Sequence, residues 1–166
     1  MRYFKTSIII FSILAITRFI PHPPNFTSLI ALSFYVPVLF GIKFIPIVVL
    51  SFAITDIYFG FHNTTFFTWG SVILISLTTK YMHYNLFVRF LGAFSGATLF
   101  FIITNFGVWF VTGTYEHSLN GLMLCYTLAI PFFYSTVIST ILFSTIFEII
   151  IILKKLYKGY FKQSVT

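Results

Sequence analysis

Arg18-Phe19-Ile20-Pro21-His22-Pro23-Pro24-Asn25-Phe26-Thr27 carries three of the six prolines in this 166-residue chain, one of its four histidines and an arginine. Proline lacks an amide donor and disfavours helix at the residue before it. The stretch therefore forms a stiff polar turn. On either side the sequence is nearly all apolar, over 4–20 before it and 26–42 after it. Each run reaches the roughly 17 residues that a helix needs to cross a bilayer. A polar turn between two such runs is the pattern of a membrane hairpin.

Composition agrees. Hydrophobic residues make up 58% of the chain and charged residues 8%. A water-soluble domain carries about 25% charged residues, so lipid must cover much of this surface. The expected class is all-α: a polytopic integral membrane protein with about six transmembrane helices in one domain, 1–166. Spans are expected at 4–20, 26–42, 44–59, 66–79, 86–111 and 132–153. Pro37 is read as a tolerated kink whose freed carbonyl a neighbouring helix satisfies. From His117 to Phe147 there is no Asp, Glu, Lys or Arg, and Pro131 interrupts the run. Segment 119–130 is too short to span alone, so an interfacial or re-entrant piece is expected there. The N-terminal order of charge then apolar residues resembles a secretory signal. Ile13-Leu14-Ala15-Ile16-Thr17 offers no small-x-small cleavage site, so the first span is read as retained.

Six spans place both termini on one side. Arg2, Lys5, Lys43, Lys80, Arg89, Lys154, Lys155, Lys158 and Lys162 then share that side, which is nine of the ten basic residues. The positive-inside rule makes it cytoplasmic. Only Arg18 falls on the other side. These cations are scattered singly, without a basic face interleaved with aromatics, so nucleic acid is not an expected partner. The lipid bilayer is.

Helix rise, about 1.5 Å per residue, converts sequence distance into depth. Arg18 lies thirteen residues beyond Lys5, and Asp56 thirteen beyond Lys43. Both sit ~20 Å from the cytoplasmic surface, in the outer half of the layer. Charges at such depth face the bundle interior and pair, so an Arg18–Asp56 association is expected. Asn105 and Thr140 reach similar heights, while His22, Asn25 and His62 lie in outer loops. Trp69 falls near mid-membrane, where it can stack on a ligand. Glu116, His117 and Asn120 fill the third outer loop. At the basic end the other polar residues are His83, Asn85 and Glu148. The expected solute-binding set is Arg18, His22, Asn25, Asp56, His62, Trp69, Asn105 and Thr140. Asn25, Thr27 or Ser28 is expected to cap the second helix, whose N-terminal dipole and nearby Arg18 favour an anionic or strongly hydrogen-bonding group.

Gly92-Ala93-Phe94-Ser95-Gly96-Ala97 places small residues four apart, the pattern that lets helices pack closely. No catalytic pattern stands out: there is no His-Glu-x-x-His, no intramembrane pair of aspartates and no nucleophile beside a base, so an enzyme is not expected. The single Cys125 excludes a cysteine cluster, and no metal or cofactor is expected.

Four motifs are familiar: the Arg18–Thr27 stretch, Asp56-x-x-x-Gly60-x-His62, Thr104-Asn105-Phe106-x-x-Trp109, and Gly121-Leu122-x-x-Cys125-Tyr126-x-x-Ala129-Ile130-Pro131-Phe132-Phe133. Together they resemble a bacterial family of uncharacterised small membrane proteins. That family is remotely similar to the substrate-binding S components of energy-coupling-factor vitamin transporters. The resemblance implies a six-helix S-component-like bundle that holds a small vitamin-like solute near the outer face. It also implies a partner ATPase module on other chains, since no phosphate-binding loop is present here. Two departures stand out. The first helix reads Ser7-Ile8-Ile9-Ile10-Phe11-Ser12-Ile13-Leu14-Ala15, without the Ala-x-x-x-Ala docking pair of S components. Ser139-Thr140 stands where the family resemblance implies Gly-Asp. The competing expectation is a structural or interaction subunit that transports nothing.

Overall fold

A computed structural model describes residues 2–82 and 85–163. His83 lies outside the described residues. Among them every regular element is helical: α1 (Arg2–Phe19), α2 (Leu29–Phe40), α3 (Ile45–Phe59), α4 (Thr65–Thr78), α5 (Leu86–Val111) and α6 (Leu119–Gln163). A 3-10 turn, Ile42–Phe44, joins α2 to α3.

Contacts between helices fix their directions. Tyr3 meets Phe44 at 4.4 Å, and Phe19 meets Tyr58 and Phe59 at 4.8 and 5.1 Å, so α1 and α3 run parallel. Gly96 packs on Ile75 and Gly107 on Phe67, which sets α5 antiparallel to α4. Tyr126 Oη donates to the Ile102 carbonyl at 2.6 Å, which sets α6 antiparallel to α5. The six helices thus alternate, and Lys5, Lys43, Lys80 and Lys154 gather at one end of the bundle. Arg18, His22 and His62 lie at the other.

The bundle is built around α2. Its residues Leu29 to Pro37 are all buried, and it touches every other helix. A helix enclosed on all sides is apolar all round, as Leu29-Ile30-Ala31-Leu32-Ser33-Phe34-Tyr35-Val36 is. Pro37 cannot donate to the Ser33 carbonyl four residues back. The Ser76 hydroxyl of α4 donates to that carbonyl instead, at 2.8 Å. The small residues of α5 face inward: a Cβ on Gly92 would fall 2.5 Å from the Phe34 ring, and one on Gly107 would collide with the Phe67 ring. That stripe serves packing within the chain.

Two boundaries differ from the sequence reading. The second helix starts at Leu29 rather than 26, because Phe26 N donates to the Pro23 carbonyl at 3.0 Å and closes a turn. Asn25 takes a positive φ of 63° there. Segment 119–130 is not a separate interfacial or re-entrant piece: α6 runs unbroken for 45 residues through Pro131. One lost backbone bond is outweighed by packing on α5 across the proline, with Tyr126 on one side and Phe133, 4.7 Å from Phe101, on the other.

Three stretches are long and apolar enough to cross a membrane: Ile42–Phe59, Leu86–Val111 and Leu119–Tyr157. In each, only 33% of the most apolar 18 consecutive residues is buried inside the protein. Ile54, Ile57, Leu91, Phe94, Ile102, Leu128, Ile141 and Ile149 all point outward. A contiguous apolar exterior of this extent is foreign to a water-facing surface and suggests membrane association. The other helices fall short for identifiable reasons. Arg2, Lys5 and Arg18 lie within the 18 residues of α1, and α2 and α4 have only 12 and 14 residues, or ~18 and ~21 Å.

Candidate functional site

Phe52, Thr55, Asp56 and Phe59 fall at i, i+3, i+4 and i+7 on α3, which puts them on one face. That face meets Arg18 in the last turn of α1. Arg18 Nη1 donates to Asp56 Oδ1 at 2.7 Å, to the Thr55 hydroxyl, and to the Phe52 carbonyl at 3.4 Å. The guanidinium carbon lies 4.7 Å from the Phe52 ring centre and 5.1 Å from that of Phe59, so cation–π attraction adds to the ion pair. Asp56 is 5% exposed. Its second oxygen, Oδ2, accepts from Trp69 Nε1 of α4 at 2.7 Å. One carboxylate therefore ties together α1, α3 and α4.

Two loops close over this pair. The first, 20–28, is pinned where the Thr17 and Ser28 hydroxyls meet at 2.9 Å, and His22 Nδ1 donates to the Pro23 carbonyl at 2.7 Å. In the second, Thr65 Oγ1 accepts from His62 N at 3.0 Å and donates to the His62 carbonyl at 2.6 Å. Between the loops and the helix ends lies a cavity of about 440 Å³. Arg18, His22, Asn25, Thr27, Asp56, His62, Thr64, Thr65 and Thr68 supply its polar wall; Leu29, Ile30, Phe52, Phe59 and Phe100 supply its apolar floor. Small-molecule sites combine a volume of this order with such a lining.

Five residues singled out from sequence line the cavity together: Arg18, His22, Asn25, Asp56 and His62. Trp69 stands behind Asp56 rather than on the wall. Asn105 and Thr140 are elsewhere. Asn105 donates along its own helix to the Phe101 carbonyl at 2.8 Å, and its backbone carbonyl faces Cys125 Sγ of α6 at 3.4 Å. Thr140 is 2% exposed on α6, with no partner for its hydroxyl among the described residues. Helix rise sets height but not the side of a helix, which is why Asn105 misses the cavity; Thr140 lies toward the basic end from Phe133, itself level with Phe101, and so falls short of it. The expected side-chain cap on α2 is not formed by Asn25 or Ser28. Thr27 Oγ1 takes the Leu29 amide at 3.4 Å instead. The threonines of α4 and the Phe52/Phe59 pair went unnoticed in the sequence, although Thr64-Thr65-x-x-Thr68 and the α3 spacing signal a shared face.

A second buried cluster lies toward the basic end. Arg89 Nε and Nη2 donate to Glu148 Oε1 and Oε2 at 2.6 and 2.7 Å, and the Tyr35 hydroxyl donates to Oε1 at 2.9 Å. Tyr35, Arg89 and Glu148 are 0%, 7% and 3% exposed. Arg89 is therefore not a surface charge at the helix boundary, as its position suggested, but half of a bidentate pair joining α5 to α6, with α2 attached. The signal was Glu148 itself, the lone acid in the apolar run that makes α6.

A model of the DUF6580 family, a family of unknown function, matches residues 2–159. The chain belongs to that family. Both arginine–carboxylate pairs and the whole cavity of this DUF6580 member fall within the matched residues. No curated protein and no solved structure matches the chain.

Proposed function

We propose that this chain is a multi-pass membrane protein that binds a small, vitamin-like solute, in the manner of an S component serving uptake by an ATPase module on other chains. The observation that carries the reading is the cavity of about 440 Å³, walled by an ion pair and two polar loops, inside a protein with an apolar exterior. All six helices lie in the bilayer, with both termini cytoplasmic in a bacterial inner membrane. Support comes from the gathering of lysines at one end, which the positive-inside rule assigns to the cytoplasm. The cavity then opens outward. The short α2 and α4 fit this placement. A bilayer is ~30 Å thick, and both helices fall about 10 Å short because loops 20–28 and 60–64 occupy the outer part of their path. Irregular backbone is tolerated at membrane depth where it lines a cavity.

The saturation of Asp56, with both oxygens bonded, supports a second reading, in which the polar cluster only fixes helix packing. Mass spectrometry of solvent extracts from gently purified protein separates the two. The solute-binding reading expects a small molecule in near-stoichiometric amount from the wild type and little from Thr64→Trp, which fills the cavity from the start of α4. A wild-type extract matching that of an unrelated membrane protein would refute it.

A further inference from the structure

Arg18 and Arg89, half-buried and buried, hold their carboxylates differently. Arg89 presents its Nε–Nη2 edge to Glu148 and makes two parallel bonds, at 2.6 and 2.7 Å. Arg18 makes all its hydrogen bonds to the described residues through Nη1. The same Nε–Nη2 edge of Arg18 has no partner among them. Nor is that edge sealed in: the buried side-chain atoms left unpartnered are Thr140 Oγ1 and Ser144 Oγ. Arg18 lines the cavity, so its open edge is within reach of what the cavity holds. The rings of Phe52 and Phe59, 4.7 and 5.1 Å away, constrain the guanidinium.

We propose that this open edge seats a carboxylate of the bound solute, which rests on the solute-binding reading above and narrows its ligand to a small monocarboxylic acid with an apolar body. The in-plane fork of an arginine matches a carboxylate with two parallel bonds, and Arg89–Glu148 shows that geometry within this chain. Asp56 leaves the edge open because it sits at Nη1, and Trp69 holds its other oxygen. A second carboxylate there completes an Asp–Arg–carboxylate arrangement. Its one added negative charge meets a wall of threonine hydroxyls and imidazoles with no other acid among the described residues. No lysine among them lines the cavity to balance a second charge, which favours a carboxylate over a dianionic phosphate. The apolar body lies on Ile30 and Phe100 at the floor.

Calorimetry on wild-type protein in nanodiscs tests this with benzoate, its uncharged isostere benzamide, cationic benzamidine, and phenyl phosphate. Benzoate is expected to bind at least about tenfold more tightly than the other three, as a charge-assisted bidentate bond implies. Arg18→Lys keeps the charge but removes the fork, so it is expected to abolish the preference for benzoate over benzamide. Equal binding of benzamide or benzamidine overturns the carboxylate seat and leaves solute binding standing. Tighter binding of phenyl phosphate overturns the single-charge assignment. A benzoate preference unchanged in Arg18→Lys overturns the role of Arg18. If no probe binds to protein that nevertheless yields an extracted solute, the ligand class is wrong while the site survives. The four-probe comparison needs no variant, so misfolding of Arg18→Lys does not protect the inference.

Discussion

Glu148→Ala is expected to lower stability by about 3–5 kcal/mol, the range for removing one partner of a buried ion pair. The loss takes the bidentate carboxylate from the buried Arg89 guanidinium and the acceptor from the Tyr35 hydroxyl, which is fully buried. Most of the cost is a buried charge deprived of its counter-charge, not the lost attraction. A triple variant, Arg89→Met with Glu148→Leu and Tyr35→Phe, removes every polar group of the cluster at similar volume. It is expected to recover most of the loss, because apolar replacement of a buried pair is commonly neutral or stabilising. Thermal and denaturant unfolding of protein in nanodiscs measures both. A loss under about 1 kcal/mol for Glu148→Ala, the size typical of an exposed pair, would show that the cluster is hydrated rather than buried.

Asp56→Ala is expected to cost less, about 1–3 kcal/mol, the range for a buried polar group left without its partner, because the half-buried Arg18 borders the cavity. It strips the Arg18 guanidinium of its carboxylate and leaves Trp69 Nε1 without an acceptor. Asp56→Asn keeps an oxygen for Trp69 and should cost less. Arg18→Met with Asp56→Leu separates stability from function: stability is expected to return toward wild type while the extracted solute is lost. If solute is retained in that double variant at the wild-type amount, the pair serves packing alone and the structural reading of the cluster prevails.

How much of this was legible from sequence depends on which physical quantity the residues encode. Hydropathy encodes helix content well, and α5 occupies the expected 86–111. Charge spacing encodes depth, so Arg18 and Asp56 were brought to one level and the structure pairs them. Azimuth is encoded only by the pattern of faces, which an almost uniformly apolar helix blurs. Asn105 faces elsewhere for that reason, whereas Thr140 lies short of the cavity because Glu148 already meets Arg89 near the start of α5, so a count from Lys154 overstates its height. Prolines misled in opposite senses. Pro23 and Pro24 delay α2 to Leu29, whereas Pro131 is absorbed because α5 packs on both sides of it. Arg89 was hidden by its place near a helix start, where a topology-setting surface charge is the ordinary reading. Its partner lies 59 residues away, a separation that local pattern does not reveal.

If the cavity faces outward from a bilayer and water reaches it, cysteine labelling in intact cells reads its side of the membrane. His62→Cys places a thiol on the cavity wall, and Lys43→Cys places one at the basic end, while native Cys125 is buried and serves as background. A membrane-impermeant maleimide is predicted to label His62→Cys from outside intact cells and Lys43→Cys only after permeabilisation. Labelling of Lys43→Cys from outside, with His62→Cys protected until the cells are opened, would contradict the account.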